Sequence, residues 1–261
     1  MLKHVRIVIG VVLWSICFSA QGQSTFENIV IGACGSYSSF MAHRPNLKGY
    51  PNAHFGMFEA SVGKQANGTK LWHRDYHFPE AGIGAFYSNV GHNKYTGDMF
   101  SAYAYIKFPY VRFSKSGFNF RLGLGPGWVE NKFDRTHNYK NLVSGTHLNA
   151  AIFLSNSYNY QINPNHKISI GLNLVHFSNG AFRLPNLGVN LLGLGFAYQF
   201  QKSQHVYSLT DSLIPVHKVY YSLSYSVGLK EVYPVLGKQY FVSNLSFTGL
   251  YRYSTKAGLG L

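Results

Sequence analysis

His176 and Ser178 stand two residues apart at the end of a strand-like run in which Ile168, Ile170, Leu172 and Leu174 alternate with Ser169, Gly171 and Asn173. Side chains on a strand alternate between faces with period two, so His176 and Ser178 continue the apolar face. Residues two apart on one face lie about 6–7 Å from each other at Cα, within reach of a hydroxyl and an imidazole. A serine hydroxyl becomes a useful nucleophile when a neighbouring base takes its proton, so this pair has the composition of a nucleophile and its base. An apolar face is an odd place for such a pair in a soluble enzyme. A face turned towards lipid, acting on a lipid substrate, reconciles the two observations.

The elements that must position this pair follow from the rest of the chain. Residues 1 to about 22 read as a cleaved secretory signal peptide, with Lys3 and Arg6 ahead of an apolar run from Ile7 to Phe18 and Ala20-Gln21-Gly22 before the cut. Cys17 follows Ile16, where lipid attachment wants a small residue. Only Cys34 survives cleavage, which excludes an intramolecular disulfide. Beyond the leader no stretch approaches the roughly 18 apolar residues of a membrane helix. Tyr and Phe number 20 each and Gly 27, against 9 acidic residues in 261. Short alternating strands rich in aromatics and glycine predict an all-β chain, an antiparallel transmembrane β-barrel of about 8–12 strands occupying residues 23–261. A secreted β-sandwich is the rival architecture. The formal charge of +14 falls to +12 without Lys3 and Arg6. In an exported chain with no basic cluster it points to anionic lipid phosphates rather than nucleic acid.

Strand-like segments run over residues 28–41, 54–65, 82–92, 99–113, 117–130, 146–161, 166–178, 188–200, 217–229 and 239–252. Each meets or exceeds the ~9–11 residues a tilted strand needs to cross a bilayer. In 188–200, Leu192, Leu194, Phe196, Tyr198 and Phe200 share one face and Gly193, Gly195, Ala197 and Gln199 the other, which suits a narrow barrel with small residues inside. Tyr103, Tyr105 and Tyr110 are placed near an aromatic girdle on the same reasoning. Pro- and Asn-containing turns such as Tyr50-Pro51-Asn52 and Asn163-Pro164-Asn165 separate the strands, and 201–216 reads as a long polar loop. The final Gly258-Leu259-Gly260-Leu261 looks like the middle of a strand, as in a chain truncated at its C-terminus, with an unusual natural terminus as the alternative.

Taken further, the segment reads His176-x-Ser178-Asn179-Gly180, then Pro185-Asn186-x-Gly188-x-Asn190, then Gly193-x-Gly195-x-x-Tyr198-x-Phe200. This resembles the PagL family of lipid A 3-O-deacylases, closely over residues 176–200 and loosely over 28–200. The resemblance implies a bacterial outer-membrane barrel that hydrolyses an ester-linked acyl chain of lipid A, with its site on the lipid-facing wall. It implies His176 as general base and Ser178 as nucleophile. Asn186 and the backbone near Asn179 and Gly180 would stabilise the oxyanion. No cofactor is implied. The partners are lipid A, or lipopolysaccharide, and the membrane.

One position departs from the family pattern. Where its best-known members carry a Glu that orients the histidine, this chain has Asn190. An Asn carbonyl can hold the imidazole tautomer without offering charge to the imidazolium. Three possibilities stay open: Asn190 does the orienting, an acid such as Glu59 or Glu80 replaces it, or the chain is a non-catalytic barrel with a structural or transport role. Gly123, Gly125 and Gly127 lead into Trp128 and Val129 rather than a helix, which argues against a phosphate-binding loop. His73 and His77 lack the third ligand a metal site would need.

Overall fold

The computed structural model describes residues 27–48, 50, 54–90, 94–202, 217–254 and 257–261. The leader read over residues 1–22 lies outside them, as does most of the polar stretch 201–216. Eight antiparallel strands close into a barrel: β1 (Ile29–Phe40), β2 (His54–Gln65), β3 (Glu80–Ser88), β4 (Met99–Arg112), β5 (Ser116–Val129), β6 (Leu148–Asn163), β7 (His166–Ser178) and β8 (Val189–Gln201). Closure is made by β8 on β1, with Phe200 opposite Ile31 and Leu191 opposite Phe40. No strand edge of the barrel is left unpaired, which is the condition for crossing a bilayer with strands.

The alternation seen in the sequence sorts the wall into two faces. Ile83, Leu124, Ile170, Leu172, Leu194 and Phe196 are half or more exposed on the outside. The inside is layered. Towards one end Met57, Phe86, Met99, Phe153, Val175, Phe177 and Leu191 form a buried apolar plug. Towards the other end the lumen is charged: Arg121 Nη2 lies 2.7 Å from Glu59 Oε2, and Lys107 pairs with Glu80. Tyr103 and Tyr105 face this lumen and hydrogen-bond Glu59 and Glu80, so they are interior ligands of the acids and not girdle residues. The alternation told which residues share a face with them; the buried carboxylates decide that the face is the inner one.

Two of the segments expected in the barrel stand apart from it. β9 (Lys218–Glu231), β10 (Gln239–Arg252) and β11 (Gly258–Gly260) form a separate three-stranded sheet. They have the barrel's own alternation, with Leu223, Tyr225 and Leu229 across from Phe247, Leu245 and Phe241 on one face and serines on the other. Period and composition therefore could not tell them from barrel strands. What excludes them is pairing: both edges of β1 are taken, by β2 and β8, so the ring is complete before β9 begins.

Candidate active site

β7 ends in the candidate pair, His176 and Ser178. Phe177, between His176 and Ser178, points inward and is 1% exposed. Its ring packs at 5.9 Å from that of Phe86. It fills the space above Gly127, where a Cβ would come within 2.3 Å of the Phe177 ring. A large side chain seated in so tight a slot fixes the strand end, and His176 and Ser178 are thereby held on the outer face. Ile152 lies opposite His176 and Ala150 opposite Ser178 on β6, while Asn190 lies opposite His176 on β8.

His176 Nδ1 donates to Asn190 Oδ1 at 2.6 Å. That bond puts the proton on Nδ1 and leaves Nε2 with its lone pair, which is the tautomer a general base requires. Asn190 Nδ2 in turn donates to His43 Nδ1 at 2.8 Å. Gly188 flanks the imidazole on its Cε1–Nε2 side. A Cβ there would stand 2.9 Å from His176 Cε1 and 3.6 Å from Nε2, and its φ of +76° is one glycine adopts freely.

Ser178 Oγ receives two donors, Asn186 Nδ2 at 3.0 Å and Gly180 N at 3.3 Å. Its own hydroxyl donates to Asn186 Oδ1 at 3.3 Å, rather than to His176. Asn186 Oδ1 also accepts from Asn179 N at 3.1 Å. Asn179 braces the loop, donating through Nδ2 to Thr146 Oγ1 at 3.0 Å and to the Arg183 carbonyl at 2.9 Å. The six residues singled out from the sequence thus fall in two hydrogen-bonded groups on one strand–loop–strand unit, His176 with Asn190, and Ser178 with Asn179, Gly180 and Asn186. Glu59 and Glu80 join neither. Both are buried in the lumen, on the opposite side of the wall from His176, and both are committed to cations.

A second layer of loops supports the site. Leu187 N and Gly188 N donate to the carbonyls of Leu142 and Val143 at 3.1 and 3.0 Å. That neighbouring loop is tied by Asn141, whose Oδ1 accepts from Val143 N and Ser144 N and whose Nδ2 donates to the Tyr95 and Asn131 carbonyls. Tyr50 donates to the Lys140 carbonyl and accepts from Leu142 N. Burial pushes its phenol up to about 12, so it stays neutral and keeps both bonds. From the other side, Glu231 at the end of β9 is buried. It accepts from Gly237 N at 3.1 Å and from Arg183 at 3.3 Å, and its N–H donates to the Ala181 carbonyl. His43 and Glu231 escaped the sequence reading because each is far along the chain from the motif. The loop layer also carries a basic cleft of about 310 Å³ lined by Lys94, Tyr95, His137, Asn138, Tyr139 and Lys140.

Residues 57–199 match the family described as "Lipid A 3-O-deacylase (PagL)". The chain belongs to the PagL family. It is accordingly an outer-membrane β-barrel of a lipid A deacylase family, and the resemblance seen in residues 176–200 extends over most of the barrel. No curated protein matches the chain. Among solved structures, the crystal structure of Neisserial surface protein A (NspA) is similar at 12% identity and a TM-score of 0.44, covering 67% of this chain and 97% of that one. Within this PagL-family barrel, Asn190 thus has a second partner besides His176, the ring of His43.

Proposed function

We propose that this PagL-family barrel hydrolyses an ester-linked acyl chain of lipid A by a Ser178–His176 mechanism on its lipid-facing wall. The observation that carries the proposal is the His176–Asn190 bond, which leaves Nε2 basic on the outer face that also presents Ser178. The Ser178 hydroxyl adds to the ester carbonyl as His176 Nε2 takes its proton. The negative charge that develops on the carbonyl oxygen is met by Gly180 N–H and Asn186 Nδ2–H, the donors that now crowd Ser178 Oγ. Collapse expels the sugar oxygen, which takes the proton back from His176 and leaves an acyl-serine. Water, deprotonated by His176, then releases the fatty acid and restores the serine.

The surroundings suit such a substrate. Leu172, Leu192 and Leu194 give an exposed apolar track on the strands that carry the pair. Lys94 and Lys140 of the basic cleft offer charge to lipid A phosphates. A competing reading, a barrel that does no chemistry, draws on the Ser178 hydroxyl turned to Asn186 instead of His176. Catalytic hydrogen bonds are often long or misaligned without substrate and tighten around it, so this geometry is compatible with a working pair.

The test is mass spectrometry of lipid A from cells with and without the protein, and with Ser178→Ala, His176→Ala and the double variant at matched levels of folded barrel. The expected result is loss of one ester-linked acyl chain with the native protein alone. The double variant should be no worse than either single one, since the pair acts as a unit. Unchanged lipid A with native protein would favour the non-catalytic barrel, and near-native activity of Ser178→Ala would remove it as the nucleophile.

A further inference from the structure

We propose that His43 is a positioning residue that selects the working tautomer of His176 through Asn190; this rests on the deacylase reading above. A carboxylate beside a catalytic histidine has acceptor oxygens only. An Asn amide has an acceptor end and a donor end, and nothing in the amide itself decides which end faces the imidazole. With Oδ1 towards His176, Nδ1 carries the proton and Nε2 is a base. With Nδ2 towards His176, Nδ1 must accept, the proton moves to Nε2, and the ring can no longer take a proton from Ser178.

In this chain the donor end of the amide is held by His43 in its Nε2–H tautomer, whose Nδ1 is free to accept. His43 Nδ1 lies 2.8 Å from Asn190 Nδ2, and accepting from it is compatible only with Oδ1 facing His176 Nδ1, which it does at 2.6 Å. The backbone delivers it there: the β1–β8 pairing continues past the strand end through Met41 N to the Asn190 carbonyl at 2.8 Å, and His43 follows two residues later. The His43–Asn190–His176 chain thus fixes the tautomer by directional hydrogen bonding, as a carboxylate would, but without the carboxylate's charge. A donor-only side chain at position 43 would demand the opposite amide orientation. The wrong tautomer in a serine hydrolase costs up to about 10⁴-fold in kcat, which bounds the effect.

The experiment compares His43→Ala and His43→Lys in the native background and in Asn190→Asp, using heat-modifiable barrel in lipid A–containing vesicles and following fatty-acid release. Asp offers an oxygen at both ends, so orientation no longer matters there. Native His43→Lys should lose about 100-fold in kcat with KM little changed, and His43→Ala about tenfold, since water can accept in its place. In Asn190→Asp the loss caused by His43→Lys should shrink to about threefold. Imidazole ¹⁵N spectra give a readout independent of turnover, with His176 assigned from the signal missing in His176→Gln. The proton should sit on Nδ1 in the native protein and on Nε2 in His43→Lys. An unmoved tautomer in His43→Lys, or an equal loss in both backgrounds, would overturn the role of His43. A native protein that releases no fatty acid would instead overturn the deacylase reading, while the spectra would still decide whether His43 sets the tautomer.

Discussion

Gly188→Ala is the substitution through which the geometry of the base can be tested most directly. Two costs arise and can be worked separately. Gly188 has φ +76°, and an L side chain in the left-handed region costs about 1–2 kcal/mol. The added Cβ would also stand 2.9 Å from His176 Cε1 and 3.2 Å from the Phe177 carbonyl. That carbonyl belongs to a residue whose ring is locked in the plug, so the imidazole is the partner that gives. Reaching ordinary contact requires the ring to move by about half an ångström, against a 2.6 Å bond to Asn190. A misplacement of about 1 Å can cost about 10²-fold, so half of that corresponds to about a tenfold loss in kcat.

Gly180→Ala separates the two costs. It has φ +64°, so it bears the same backbone strain, but a Cβ there meets nothing within 4 Å, and the N–H near Ser178 is retained. The assay is kcat for fatty-acid release alongside the urea midpoint of the folded barrel. Both variants should lose similar stability, and Gly188→Ala should lose several times more turnover. Equal turnover in the two would mean that space beside His176 is not what Gly188 provides.

Two further outcomes follow from the supporting layers. Glu59→Gln leaves Arg121 charged and unpaired in the lumen, which should destabilise the barrel by about 3–5 kcal/mol, while kcat per folded barrel stays within about twofold; a kcat collapse at matched barrel content would revive Glu59 as the missing acid. Glu231→Ala removes the acceptor of Gly237 N and Arg183, costing about 1–3 kcal/mol locally, and limited proteolysis should then cut within residues 179–188 sooner; native protease resistance would show that the β9–β10 turn does not brace the site loop.

Much of the barrel was legible because a wall with a wet or packed inside and an apolar outside imposes period two on every strand. β7 was expected over 166–178 and runs His166–Ser178, and β2 was expected over 54–65 and runs His54–Gln65. β3 was expected to reach residue 92 but ends at Ser88, where the ladder gives way to side-chain bonds: Ser88 Oγ donates to the Gly56 carbonyl and accepts from Val90 N. Pairing was not legible in the same way. Nothing in the alternation of β9 and β10 says that β8 will turn back to β1 and close the ring without them.

The site shows the same division. Its local members, from His176 to Asn190, lie on one strand–loop–strand unit, so spacing alone assembles them. Its distant members do not announce themselves, because their role depends on which strand neighbours which. Lumen and wall also differ in what they can lend the site. An acid inside the barrel is spent on the cations that make its burial tolerable, as Glu59 is on Arg121 and Glu80 on Lys107. On the lipid-facing wall proposed for the site, an unpaired acid would be costly away from the interface. An amide at position 190 avoids that cost and keeps the acceptor that His176 Nδ1 needs. The price is a second donor end that requires its own acceptor, and barrel closure brings β1 alongside β8 so that His43 can supply it.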